Sequence, residues 1–156
     1  MFSSINISIE TSPIHVEAVS ASIVTYNDKN RAPQAINSIV ENTKKYDLKL
    51  YVIDNASTDD TADFIKKMGQ AVVIKNDKNV GFGAAHNQAL AMPLGKYHFV
   101  GNPDITVNSD VLAEMADYLE TPPDVVMAMP KILNCDGSEQ KLPKERPTFK
   151  RLFLGR

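Results

Sequence analysis

Four apolar stretches of this chain each run straight into a short polar cluster: Val19 to Tyr26 into Asn27, Leu50 to Ile53 into Asp54, Val72 to Ile74 into Asn76, and Tyr97 to Val100 into Asn102 and Asp104. Short apolar runs bounded by polar turn residues read as buried strands. Between them the pattern switches to a helical period. Ala32 to Lys44 puts Ala35, Ile36, Ile39 and Val40 on one face, and the second stretch is followed by a helix carrying Thr61, Ala62, Phe64 and Ile65, with Ser57 or Thr58 as its expected cap. Gly81 to Leu90 is alanine-rich and helix-compatible. Asn108 to Leu119 sets Val111, Leu112, Met115 and Leu119 on one face behind Ser109 or Asp110, with Pro122-Pro123 as its stop, and Val125 to Met129 fits a fifth strand.

This alternation predicts an α/β fold: a mostly parallel central sheet with helices on both faces, joined by right-handed crossovers. Strands covered on both sides should be nearly all apolar. The polar clusters that follow them should then share one edge of the sheet, which is where open α/β sheets bind ligands.

Composition narrows the picture without naming a chemistry. A chain of 156 residues is long enough for one domain that buries about 70% of its unfolded surface. Seventeen basic and nineteen acidic side chains give a formal charge of −2, which argues against a nucleic-acid binder that works by neutralising phosphates. The single cysteine, Cys135, fits a reducing compartment. No stretch approaches the roughly 20 apolar residues of a membrane span, and no basic start precedes an apolar core, so the expectation is a cytoplasmic protein. Three regions follow: residues 1–17 as a leader or edge strand, where Ile5, Ile7 and Ile9 alternate with polar neighbours; residues 18–140 as the α/β domain; and residues 141–156 as a basic amphipathic tail. The tail carries six basic residues and one acid, Glu145, among Phe149, Leu152, Phe153 and Leu154. Such a mixture suits peripheral contact with an anionic bilayer at the inner face of a membrane, or packing on further residues as an ordinary helix.

The clusters themselves suit particular ligands. Asp54-Asn55-Ala56-Ser57 offers a carboxylate, an amide and a hydroxyl at the start of a helix, able to bond a base or ribose, or simply to cap and turn the chain. Asn102-Pro103-Asp104 fixes an amide and a carboxylate on either side of a rigid turn. One carboxylate is a poor cage for a bare ion, yet a reasonable anchor for Mg²⁺ or Mn²⁺ when a diphosphate supplies the remaining oxygens. Gly81-Phe82-Gly83 is not a dinucleotide fingerprint, because His86 stands where a third glycine belongs and the motif follows the third strand; a phosphate-loop lysine-serine pair is also missing. His98, inside a strand, and His15 read as structural. No Cys/His set has metal-ligand spacing, and no serine sits in a nucleophile elbow.

Taken in order, the clusters resemble a known family. Ser22-Ile23-Val24-Thr25-Tyr26-Asn27, Val52-Ile53-Asp54-Asn55-Ala56-Ser57-Thr58-Asp59, Asn79-Val80-Gly81-Phe82-Gly83-Ala84-Ala85-His86-Asn87 and Asn102-Pro103-Asp104 are similar to the successive motifs of glycosyltransferase family 2. The Asn-Pro-Asp form is most similar to the rhamnosyltransferase-like branch that builds bacterial surface polysaccharides. The resemblance implies a GT-A fold, a nucleotide-diphospho-sugar donor and inverting transfer, with rhamnose a candidate sugar, to a glycan or lipid-linked acceptor. It implies that Thr25, Tyr26 and Asn27 border the nucleotide and that Asp54, with Asn55 and Ser57 beside it, bonds the base. It further implies that Asn79, Gly81 and Asn87 border the nucleotide-sugar pocket, and that Asp104 with Asn102 holds a divalent cation where the family carries an Asp-x-Asp motif.

Inverting displacement also needs a carboxylate to take the acceptor's proton, and in this family that base lies further along, which places it beyond Arg156 and makes this chain a C-terminally truncated, donor-binding part. Asp136 and Glu139 stand in a context that reads as a hairpin turn. On the residues alone, a nucleotide-binding module without transfer activity and a non-catalytic scaffold that contacts a membrane or partner through the tail stay open. The same reading expects Asp54→Ala to weaken nucleotide binding and leave folding little affected.

Overall fold

A computed structural model describes residues 19–121 and 124–140; the expectations for the leader and for the tail lie outside the described residues. The elements alternate: β1 (Val19–Thr25), α1 (Ala32–Asn42), β2 (Leu48–Asp54), α2 (Thr61–Met68), β3 (Val72–Lys75), α3 (Phe82–Leu90), β4 (Tyr97–Gly101) and α4 (Val111–Glu120). The strands form one parallel sheet in the order β3-β2-β1-β4.

This order separates the helices onto two faces. Steps from β1 to β2 to β3 run in one direction, and the step from β3 to β4 reverses across β1. With right-handed crossovers, the reversal moves its connecting helix to the opposite face. Ala21, Ile23, Leu50 and Val52 accordingly pack with Ile36 and Ile39 of α1, Ile65 of α2 and Leu112 of α4. On the other face Val24, Tyr51 and Ile53 pack with Ala85 and Ala89 of α3. The alternation of side chains along β1 and β2 divides these two sets.

Local chemistry sets the helix ends. α1 starts with proline in its first turn, α2 ends at Gly69 in the left-handed conformation (φ 69°), and α4 begins where the Asp110 carboxylate accepts from the Ala113 N–H at 3.3 Å. Asp110 also accepts from the N–H groups of Lys44 and Lys45, each at 3.0 Å, tying α4 to the end of α1. The expected cap of α2 is corrected: the N-cap position is Asp60, and Ser57 is engaged elsewhere.

Two further expectations change. Val125–Met129 forms no strand; Val126 and Met127 are 93% and 82% exposed. An apolar run becomes a strand only when a neighbour satisfies its backbone groups. The core strands are also less apolar than expected, since Ser20, Ser22 and Thr25 are wholly buried in β1. They survive there because each hydroxyl has partners. Ser20 Oγ lies 2.8 Å from His98 Nδ1, Ser22 Oγ lies 2.8 Å from both His98 Nε2 and His86 Nδ1, and Ser20 Oγ accepts from the Gly95 N–H at 3.1 Å. His98 thus occupies a polar layer within the sheet. Burial lowers the pKa of both imidazoles, and the nearby His98 adds to the effect at His86.

Residues 127–140 belong to a second compact unit, and the expected hairpin is present there. Leu133 bridges Glu139 antiparallel, the Asn134 N–H donates to the Ser138 carbonyl at 2.8 Å, and Gly137 turns at φ 82°. No helix among the described residues is long and apolar enough to cross a membrane.

Candidate functional site

Register fixes where the polar clusters emerge. Lys75 pairs with Asp54, Asp54 with Thr25, and Gly101 with Ile23. The ends of β1, β2 and β3 are therefore level, β4 ends two residues earlier, opposite Ile23, and the segments beginning at Tyr26, Asn55, Asn76 and Asn102 leave the same edge. The reversal of strand order falls between β1 and β4, and open α/β sheets bind ligands at the carboxyl ends beside such a switch point.

The first two segments are tied into one frame around Asp54, which is fully buried. Its Oδ1 accepts from the hydroxyls of Thr25 (3.2 Å) and Ser57 (2.5 Å), and its Oδ2 accepts from the Ser57 N–H (3.0 Å). Ser57 Oγ in turn accepts from the Asn27 N–H (2.9 Å), and Asn27 Oδ1 accepts from the Thr58 N–H (2.9 Å). Asn27 and Ala56 both hold positive φ, 56° and 66°. Asparagine tolerates this conformation, whereas alanine does so at a cost of about 1 to 2 kcal/mol that the surrounding bonds offset. Lys29 and Asp60 pair at 2.7 Å across the same two segments, on the surface.

A second frame surrounds Asn55, which is 3% exposed. Its Oδ1 accepts from the Val80 N–H (2.9 Å) and Asn76 Nδ2 (3.2 Å), and its Nδ2 donates to Asn79 Oδ1 (2.8 Å). Asn79 Oδ1 also accepts from the Gly81 N–H at 2.9 Å. Gly81, at φ 84° and ψ 162°, occupies a region open almost only to glycine and leads directly into α3.

The predicted site residues therefore fall into three sets. Thr25, Asn27, Asp54 and Ser57 meet in the first frame; Asn55, Asn79 and Gly81 meet in the second. Tyr26, Asn87, Asn102 and Asp104 are exposed, and among the described residues their side chains make no hydrogen bond. The carboxylate of Asp54 faces its own chain, so its removal is expected to cost folding stability as well as any effect on binding. Sequence reading missed three participants: Thr58, Asn76 and the His86–Ser22–His98 layer. The density of Asn, Ser and Thr at the strand ends was the available signal, since such side chains bond neighbouring backbone readily.

For a cation, Asn102 and Asp104 supply one amide oxygen and one carboxylate, neither hydrogen-bonded among the described residues. No group of three or more His, Cys, Asp or Glu able to hold a metal exists among the described residues. This donor set fits Mg²⁺ or Mn²⁺ only in company with ligand oxygens. Of the late acids, Glu139 pairs with Lys131 at 3.0 Å and Asp136 accepts from Ser138 at 2.6 Å and 2.9 Å.

Known proteins are similar to this chain in sequence and in fold. The chain is 30% identical over 132 residues to the abequosyltransferase RfbV of Salmonella typhimurium, covering 80% of this chain and 39% of the relative. It is 31% identical over 109 residues to the UDP-Glc:alpha-D-GlcNAc-diphosphoundecaprenol beta-1,3-glucosyltransferase WfaP of Escherichia coli, covering 68% and 43%. The chain spans less than half the length of the curated relatives it matches. Its fold matches that of the mannosyltransferase PcManGT from Pyrobaculum calidifontis, solved with GDP-Man and Mn²⁺, at a TM-score of 0.62 and 22% identity over 68% of this chain and 33% of that one. This is the GT-A fold. The family model for Glycosyl transferase family 2 matches residues 20–155, and the chain belongs to that family.

Proposed function

We propose that this chain carries the donor-binding part of an inverting glycosyltransferase, which moves a sugar from a nucleotide-diphospho-sugar to a glycan or lipid-linked acceptor in bacterial surface polysaccharide synthesis. The observation that carries the reading is the parallel register, with Lys75, Asp54 and Thr25 level and Gly101 opposite Ile23, which brings four polar clusters to one edge of the sheet. The relatives support it: WfaP is a UDP-Glc:alpha-D-GlcNAc-diphosphoundecaprenol glucosyltransferase, and RfbV is an abequosyltransferase. The Asn102-Pro103-Asp104 form favours the rhamnosyltransferase-like branch, with rhamnose the sugar.

In this reading Tyr26, exposed beyond β1, offers its ring to the base, with Thr25 and Asn27 bordering the nucleotide. Asp54 acts from behind, holding Ser57 and Asn27 so that the rim keeps its shape. Asn79 and Asn87 border the sugar side. Asp104, aided by Asn102, would hold a divalent cation whose charge offsets that of the departing diphosphate. A titration of UDP, dTDP, GDP and CDP with and without Mn²⁺ tests the reading. Micromolar binding of at least one nucleotide, strengthened by the metal, is expected; no binding of any would remove it.

A further inference from the structure

The two amides at Asn55 and Asn79 are oriented by backbone groups that cannot turn. The Val80 N–H requires an oxygen at the Asn55 atom it meets, 2.9 Å away, so the other terminal atom of Asn55 is its nitrogen. That nitrogen lies 2.8 Å from Asn79, and the same Asn79 atom receives the Gly81 N–H at 2.9 Å. An atom that receives two N–H groups is an oxygen. Asn79 is thereby fixed with Oδ1 inward and Nδ2 outward, and Asn79 is exposed with Nδ2 bonded to nothing among the described residues.

We infer that Asn55 is a positioning residue that sets the polarity of Asn79, so that this corner of the site presents a hydrogen-bond donor and takes an oxygen of the nucleotide, either a base carbonyl or a phosphate oxygen, while rejecting an amino group. The inference rests on the donor-site reading above. It assigns Asn55 no contact with ligand. Its role is to make the flipped Asn79 unfavourable: turning that amide would set its NH₂ against both the Asn55 NH₂ and the Gly81 N–H, losing two bonds.

Two near-isosteric substitutions separate the parts. N79D keeps an oxygen for Asn55 and Gly81 while replacing the outward donor by an acceptor. N55D keeps an oxygen for Val80 while setting a carboxylate oxygen against Asn79 Oδ1. Amide hydrogen exchange in the absence of ligand should therefore show the Gly81 N–H as protected in N79D as in the unsubstituted protein, and at least about tenfold less protected in N55D. Nucleotide affinity should fall about tenfold or more in both. The side-chain amide protons of Asn79 should shift on nucleotide addition in the unsubstituted protein, a signature that a purely structural Asn55 would not produce.

Comparing the diphosphate with its parent nucleoside in N79A identifies the oxygen. Equal weakening of both assigns the base carbonyl, and weakening of the diphosphate alone assigns the phosphate. Unchanged affinity in N79D, or full Gly81 protection in N55D, would overturn the inference. Should no nucleotide bind even the unsubstituted protein, the donor-site reading falls, while the ligand-free exchange comparison still decides the polarity of Asn79.

Discussion

Asp54→Ala is the perturbation that the site geometry makes most severe. The carboxylate is fully buried and accepts three hydrogen bonds, from Thr25 and twice from Ser57. Bonds to a charged acceptor contribute about 1.5 to 3 kcal/mol each. Two of the three pass through one residue and overlap, so we expect a loss of about 3 to 5 kcal/mol, less than the sum of three independent bonds. Against a total stability of about 5 to 15 kcal/mol, that is a large fraction. Asp54→Asn should cost only about 1 to 2 kcal/mol, because the remaining oxygen can serve the Ser57 N–H while the two hydroxyls rotate to accept from the new NH₂. Urea denaturation followed by circular dichroism measures both. Ser57→Ala in each background completes a cycle, with a coupling of at least about 1 kcal/mol between positions 54 and 57. A loss under 1 kcal/mol in Asp54→Ala, or no coupling, would refute the frame as described.

Three other outcomes follow from the same structure. Burial holds the pKa values of His86 and His98 below the ordinary histidine range; the folded protein then binds fewer protons than the unfolded chain below about pH 6.5, so stability should be flat above that pH and fall beneath it. Urea midpoints that do not move between pH 7.5 and 5.5 would contradict this. Gly81→Ala meets no neighbour within 4 Å but forces a φ of 84° on a side chain, so it should cost about 1 to 3 kcal/mol from backbone strain alone, by the same denaturation assay. A shorter α2 stop tests the left-handed cap: Gly69→Ala should lose about 1 kcal/mol, also without any steric clash at the new methyl group.

The sequence carried the strand and helix order because the apolar periods switch cleanly between elements, and it carried the shared edge because each apolar run ends in polar residues. It did not carry the bonding among those residues. Asp54 and Asn55 are adjacent, yet one anchors the segment from β1 and the other the segment after β3, a division set by tertiary register. Ser57, by position an ordinary helix cap, bonds a carboxylate three residues earlier instead of the backbone ahead. The serines of β1 are accommodated in a buried strand because the histidines of α3 and β4 meet them across 64 to 78 residues. Val125–Met129 has strand composition, but composition supplies no pairing partner.

The central claim, a nucleotide-diphosphate site completed by a cation on Asp104, is tested most directly by calorimetric titration of the nucleoside diphosphates with and without Mn²⁺, on this chain and on Asp104→Ala. Because one carboxylate holds the ion only together with the diphosphate, metal and nucleotide should each tighten the other by the same factor, and the substitution should abolish that coupling while weaker metal-independent binding persists. Nucleotide binding that is indifferent to both Mn²⁺ and Asp104 would contradict the account.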